Sequence, residues 1–386
     1  MNVKRVFLFV LDSFGIGSMP DAKDYGDEGA DTLKSVCKSS LLSVPCMESL
    51  GLFSIDGTDK KATVPIGVYG RMAEASLGKD TIIGHWEICG IRSEKDLPHY
   101  PDGFPDEIIK EFERITGRAV LCNKPYSGTK VIEDFGEEHL RTGNIIVYTS
   151  ADSVFQVAAH TDVVPLEKLY EYCEKAREML RDEHGVGRVI ARPFTGEFPF
   201  KRTSDRHDYP LKPPAKTLLD NLKEKDFDVI AVGKINDIFC SQGVTEYTKT
   251  TDNDDGMRVT DEYAKKDFHG LCFINLVDFD MVYGHRRDCD GYASALTRFD
   301  TWLTGFIGRM RDDDMVIITG DHGCDPRYKG TDHTREYTPL LMYKKGIRPR
   351  NLGTRQSFAD IGATVAEIFG VAKTPYGTSF INSITE

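Results

Sequence analysis

Apolar positions along the chain fall into two patterns. VFLFVL (6–11) stops at Asp12, FINLV (273–277) stops at Asp278-Phe279-Asp280, and MVIIT (315–319) stops at Gly320-Asp321-His322. Runs without polar alternation predict strands buried on both faces, as in a parallel sheet covered by helices. Between the last two runs, Tyr292, Leu296, Phe299, Leu303, Phe306 and Met310 follow helical spacing, so 291–310 predicts the helix of a β-α-β unit. Phe358, Ile361, Val365 and Ile368 form another helical stripe, with Gly370 as its stop. Open α/β sheets bind ligands beyond the carboxyl ends of their strands, and all three acidic clusters fall there.

The middle of the chain reads differently. HYPDGFPDE and YPLKPPAK form Pro- and Gly-containing joints, and between them come amphipathic stretches such as 166–182 and two apolar strands, IIVYT (145–149) and RVIA (188–191). TLLDNLKEK and FDVIAVG then resume the α/β pattern. The expected architecture is an α/β core of 1–98 and 215–386. Its sheet is mostly parallel between helices, and 99–214 forms an inserted second domain of α+β character.

Composition narrows the function classes. At 386 residues, 40% hydrophobic and 28% charged, the chain is long enough for two domains and too apolar for disorder. The net charge of −12 argues against a nucleic-acid partner and leaves a small anionic substrate open, because clustered arginines reverse the local sign. Nine cysteines without a CxxC pair read as reduced thiols in a cytoplasmic protein. The opening MNVKRVFLFVLD has too short an apolar run for a leader and is read as a strand, and no membrane span is expected.

Asp12, Asp280, His285, Asp321, His322 and His333 are three carboxylates and three imidazoles that the strand ends could gather at one sheet edge. A mixed Asp/His set suits Mn²⁺, Zn²⁺ or Mg²⁺, and six ligands suffice for two ions. A second stretch, GKDTIIGHWEICG (78–90), places Thr81 before a plausible helical turn. A threonine hydroxyl becomes a nucleophile only when a metal or base activates it, and a helix N-terminus favours alkoxide and phosphate alike. The plainer readings are an N-cap at Asp80 or Thr81, and simple packing for His85-Trp86. In the middle region Ser150, Asp152, Arg188, Arg192, Lys201, Arg202 and Arg206 bring hydroxyl, carboxylate and guanidinium groups into one domain. Arg suits phosphate through its bidentate fork, Asp152 at the end of a buried strand suits a hydroxyl group, and Lys234 at a strand end suits phosphate.

RVFLFVLDSFGIGSMPDA, GKDTxxGHWE, DFDMVYGHRRD, TGDHGCDP and GTDHTREYTPL, with TSADSVFQVAAH and ARPF in the middle, resemble the phosphopentomutases of the prokaryotic metal-dependent type, within the alkaline phosphatase superfamily. The resemblance implies that Asp12, Asp321 and His322 hold one Mn²⁺, and Asp280, His285 and His333 another. Other divalent ions are compatible with the same set. Thr81 would carry a phosphoryl group, with a sugar bisphosphate such as glucose 1,6-bisphosphate as activator. The implied substrate is a small phosphorylated pentose. Ribose 1-phosphate and ribose 5-phosphate, and the 2-deoxy sugars, would interconvert through a 1,5-bisphosphate under a closing cap. Where the family commonly has a small polar residue just after the threonine, this chain has Ile82 and Ile83. The rival readings are a metal-dependent phosphatase or sulfatase, a phosphoglycerate mutase of the same superfamily, and a metal-storage module. The oligomeric state is left open.

Overall fold

The computed structural model describes residues 2–59, 61, 63–150 and 152–385. Their contacts divide into two compact units, 1–96 with 212–386, and 97–211.

The first unit is built on an eight-stranded sheet, in the order Glu246–Thr248, Asp228–Val232, Gly270–Leu276, Arg5–Leu11, Asp314–Thr319, Thr338–Tyr343, Val68–Met72, Arg350–Arg355. Five of the pairings are parallel; Thr338–Tyr343 runs antiparallel to both of its neighbours. The three apolar runs that precede the acidic clusters are the central strands, with every residue buried. Their register is fixed at the end away from the clusters. Arg5 lies opposite Asp314 and grips it through Nε–Oδ1 at 2.7 Å and Nη2–Oδ2 at 2.8 Å, both residues being buried. A slip of one residue would break this bidentate pair and turn every apolar side chain to the wrong face.

Helix Cys289–Arg309 crosses from Gly270–Leu276 to Asp314–Thr319 over the intervening strand, as the helical stripe predicts. Its buried edge packs aromatically on the first strand, Phe299 against Phe9 at 5.9 Å and Phe306 against Phe7 at 5.2 Å between ring centroids. Helix Ala359–Phe369 ends at Gly370 in the left-handed conformation and packs on helices Thr81–Ile88 and Leu218–Lys223. Gly362 permits that approach, since a Cβ there would stand 2.5 Å from the Ile88 carbonyl oxygen.

The second unit holds a six-stranded sheet, more than the two strands its apolar runs predict. Val154–His160 escapes the pattern because polar Gln156 interrupts it, although the whole strand is buried. The amide is accommodated because Arg192 Nε and Nη2 donate to its oxygen at 3.1 and 2.9 Å. Helix Leu166–Met179 forms where 166–182 predicts one, and the chain leaves it three residues early. Among the described residues no helix is long and apolar enough to cross a membrane.

Candidate metal centre

The three central strands end together, so their following residues share one edge. Asp12 directly follows Arg5–Leu11, and Asp321-His322 follow Asp314–Thr319 with Gly320 between. Asp280 sits on a π-helical turn, Phe279–Gly284, with His285 immediately behind it. His333 comes from a loop folded back by paired hydrogen bonds between Gly323 and Thr334 at 3.0 and 2.7 Å. Buried Glu336 clamps the base of this arrangement by accepting from Gly17 N, Thr32 N, Thr32 Oγ1 and Thr334 Oγ1 at 2.7–3.1 Å. Burial pushes its carboxyl up to about 7 against those donors.

Around His322 each carboxylate has one oxygen tied and one free. Asp12 Oδ2 accepts from Asn275 Nδ2 at 2.9 Å, and Asp321 Oδ1 accepts from the Ser13 amide at 3.0 Å. Ser13 adopts φ of +68° to aim that amide, a backbone state that costs a non-glycine residue about 1 kcal/mol or more. The remaining oxygens, Asp12 Oδ1 and Asp321 Oδ2, are buried without hydrogen bonds and lie 3.4 and 3.5 Å from His322 Nε2; Asp321 Oδ2 also lies 3.1 Å from His85 Nδ1. Thr81 Oγ1 stands 3.2 Å from the same nitrogen.

The second group is similar. Asp280 Oδ2 lies 3.3 Å from His285 Nε2, Asp280 Oδ1 lies 3.4 Å from His333 Nε2, and the two Nε2 atoms are 3.1 Å apart. Asp280 Oδ1 is another buried oxygen without a hydrogen bond. His322 stacks on His333 at 3.9 Å between centroids, so the groups adjoin.

The histidines identify what these atoms await. Nδ1 of His285, His322 and His333 faces the carbonyl oxygens of Thr331, Gly323 and Lys79, at 2.6, 3.0 and 2.9 Å. Carbonyls only accept, so each Nδ1 carries the hydrogen and each Nε2 lone pair points inward. Converging lone pairs and unbonded carboxylate oxygens repel unless a cation lies among them. Ligand separations of 3.1–3.5 Å also match the edges of a coordination shell with bonds of about 2.1 Å. The residues therefore fit divalent ions. Without them protons take part of that role. Asp280 hydrogen-bonds His285 and holds it up to about 9 against burial. Burial works against charge on His322, but Asp321 and Asp12 hold its pKa well above the usual value. Three carboxylates facing two divalent ions would leave a net positive centre, suited to a phosphate.

Thr81 opens helix Thr81–Ile88, and Asp80 is its cap, accepting from Ile82 N and Ile83 N at 2.8 and 3.2 Å. Gly84 brings this helix onto the strand end, since a Cβ there would stand 2.2 Å from the Asp321 carbonyl oxygen. Ile83, two residues after Thr81, is fully buried and serves packing, while Ile82 is half-buried.

The structure thus gathers all six Asp/His residues with Thr81. The candidates of the second unit have local partners of their own. Lys234 opens the short turn Ile235–Ile238 in the first unit. In the second unit, Ser150 Oγ accepts from Asp152 N at 3.3 Å, and Arg188 lies 3.8 Å from both Asp152 and Asp208. Arg202 donates to the Gly128 carbonyl at 3.1 Å, and Arg206 pairs bidentately with Asp208 at 2.7 Å. Sequence reading missed Tyr148, whose hydroxyl is buried without a partner; Arg192, Arg202 and Arg206 oppose the rise in its pKa that burial causes. It also missed Asn275, visible as a polar residue inside an apolar strand, and Cys324, grouped with Asp280 and His285.

A mostly parallel α/β sheet with Asp and His grouped beyond three adjacent strand ends is the arrangement of a metalloenzyme. Residues 4–373 match the model of the Metalloenzyme superfamily, whose members use divalent metal ions. The chain is 59% identical over 384 residues to a phosphopentomutase of Lachnoclostridium phytofermentans, covering 98% of each chain. It is 54% identical to one of Caldanaerobacter subterraneus, covering 99% of this chain and 98% of the other. Against one of Clostridium novyi it is 53% identical over the full length of both. The chain belongs to the phosphopentomutase family. Solved structures share the fold at low identity. The PH0037 protein of Pyrococcus horikoshii matches with TM-score 0.51 at 16% identity, over 96% of this chain and 98% of the other. A Leishmania mexicana phosphoglycerate mutase matches with TM-score 0.51 at 14% identity, over 98% and 97%.

Proposed function

We propose that this chain is a pentose phosphate isomerase that interconverts ribose 1-phosphate and ribose 5-phosphate, and their 2-deoxy equivalents, through a phosphorylated Thr81. Family membership supports the substrate class. One observation carries the mechanism: the Thr81 hydroxyl lies 3.2 Å from His322 Nε2, where the free oxygens of Asp12 and Asp321 also converge.

Asp12, Asp321 and His322 would hold one ion and Asp280, His285 and His333 the other, with Mn²⁺ the ion proposed. When bound, the ions supply charge neutralisation for the phosphoryl oxygens and activation of the threonine oxygen. The chain's own residues orient and exchange the group. The phosphoryl on Thr81 Oγ1 passes to the O5 hydroxyl of ribose 1-phosphate, breaking Oγ1–P and forming O5–P. The resulting 1,5-bisphosphate presents its other end, and Thr81 Oγ1 takes the phosphoryl from O1. Ribose 5-phosphate leaves, and the proton lost at O5 is matched by one gained at O1. A sugar bisphosphate such as glucose 1,6-bisphosphate would load Thr81 initially.

Residues 99–214 are proposed as a cap domain that grips the phosphate not being transferred. Arg188, Arg192, Arg202 and Arg206 supply guanidinium forks for it, Lys234 adds an ammonium, and Ser150 and Asp152 meet sugar hydroxyls. Retaining the bisphosphate is what separates a mutase from a phosphatase.

The test is to supply ribose 1-phosphate, Mn²⁺ and a catalytic amount of glucose 1,6-bisphosphate, and to follow phosphorus NMR. Ribose 5-phosphate should form with little inorganic phosphate. Phosphate released as fast as substrate disappears would overturn the mutase reading in favour of a phosphomonoesterase.

A further inference from the structure

His85 and Asn275 are fully buried polar residues that the proposed chemistry leaves unused. Asn275 sits within an otherwise apolar strand, in register with Val10, one residue before the Leu276–Leu11 pair that leads to Asp12. Its Nδ2 lies 2.9 Å from Asp12 Oδ2 and 3.3 Å from His85 Nε2. A carboxylate only accepts, so the amide is oriented with its two hydrogens toward these atoms. His85 Nδ1 lies 2.8 Å from the Thr81 carbonyl and 3.1 Å from Asp321 Oδ2. It therefore carries the ring hydrogen, which leaves Nε2 to accept from Asn275. The Nδ1 hydrogen is donated to the Thr81 carbonyl, and the approach to Asp321 Oδ2 at 3.1 Å is an electrostatic contact, not a hydrogen bond. The one group left over is Asn275 Oδ1, buried without a partner, so the amide is retained for its donors despite an unsatisfied oxygen.

We propose that Asn275 and His85 are a positioning pair that locks both carboxylates of one ion, Asp12 and Asp321, to the backbone of Thr81. The inference rests on the two-ion reading above. Asn275 leaves only Asp12 Oδ1 free for an ion, and His85 ties the first turn of the nucleophile's helix to Asp321. Neither side chain is a ligand. Each acts through residues that are, so loss of the pair weakens one ion and spares the other.

Calorimetric titration of Mn²⁺ into the chelated, full-length chain tests this, with the thermal midpoint of the ion-free protein measured alongside. Wild type should show two binding steps, and Asp12→Asn identifies the step belonging to the first ion. Asn275→Leu, close in size and suited to an apolar strand, should weaken that same step about 10–100-fold, as outer partners of metal ligands do. The other step and the midpoint should hold. A structural role alone predicts the reverse, a lower midpoint with unchanged affinity, and that result overturns the proposal. His85→Asn and His85→Gln form an independent pair should Asn275→Leu fail to fold. Asparagine can place a donor where Nδ1 stands and should preserve the first-ion step. Glutamine places its amide near Nε2 and should weaken it. Equal behaviour of the two overturns the proposal. Fewer than two steps in wild type removes the two-ion reading, and this inference with it.

Discussion

The two units hold their functional candidates in opposite ways. In the 1–96/212–386 unit, Asp12, Asp321 and His322 are fully buried, and each has one side-chain atom bonded to protein and another turned inward. In the 97–211 unit, Arg202 and Arg206 are exposed, and Arg206 already has a carboxylate partner in Asp208. The first arrangement suits electrostatic chemistry, where groups must be preset in a water-poor environment. The second suits recognition, because a screened guanidinium exchanges one anion for another at little net cost. Substitutions should therefore be severe in one unit and graded in the other.

The largest effect is expected at Thr81. Thr81→Ala should lose turnover on the order of 10⁴-fold or more, the scale of removing a nucleophile. Metal content should survive, and intact-mass measurement should show a phosphate adduct on wild type that the variant lacks. Next come the ligands. Asp321→Asn or His333→Ala should bring bound Mn²⁺ below two per chain by elemental analysis. The loss of turnover should exceed the 10–100-fold typical of outer partners.

Gly84→Ala sharpens the comparison, because it replaces none of the six Asp/His residues and leaves Thr81 in place. Its methyl group would meet the Asp321 carbonyl at 2.2 Å and must push the Thr81 helix away. A displacement near 1 Å costs about 10²-fold in kcat. Melting should show roughly 1–3 kcal/mol of overpacking strain. Wild-type kcat in this variant would break the claim that helix placement is preset.

Acidity gives a smaller, graded effect. With His285 held up to about 9 by Asp280, the folded ion-free chain binds that proton more tightly than the unfolded one. The pair's contribution to ion-free stability is full below about 6.5 and is lost as pH rises through 9. Metal binding runs the other way. An ion must displace the proton, so affinity at this position should fall about tenfold per pH unit below 9. Mn²⁺ titrations at several pH values check this, and a flat profile would contradict the pairing. Smallest should be Arg202→Ala, which is expected to raise KM about tenfold without altering Mn²⁺ binding, the scale of one charged hydrogen bond.

What could be read from the sequence follows from the same contrast. The three strand-end clusters were legible because buried parallel strands leave continuous apolar runs, and their ends then mark an edge of the sheet. Thr81 was legible as a helix start through its neighbours Asp80 and Gly78. The sheet of the second unit was mostly hidden, since Gln156 breaks the period of its longest fully buried strand and only tertiary pairing with Arg192 makes that tolerable. Asn275 was visible as a single polar residue in an apolar run, but its meaning depends on Asp12, 263 positions away. His85 looked like packing, and its second contact, with Asp321, exists only once the chain has folded back.

The position of Arg5–Leu11 at the middle of the sheet has a consequence for biosynthesis. It is made before every other strand of its sheet, and its two neighbours, Gly270–Leu276 and Asp314–Thr319, follow 265 and 309 residues later, start to start. At about 5–20 residues per second it waits on the order of ten seconds to a minute as a seven-residue strand segment, apolar after Arg5, with both edges open. The 97–211 unit has every strand of its own sheet within that interval and can fold during it. Nascent chains stalled before residue 270 should therefore carry a protease-resistant 97–211 fragment and an N-terminal strand still available to chaperones.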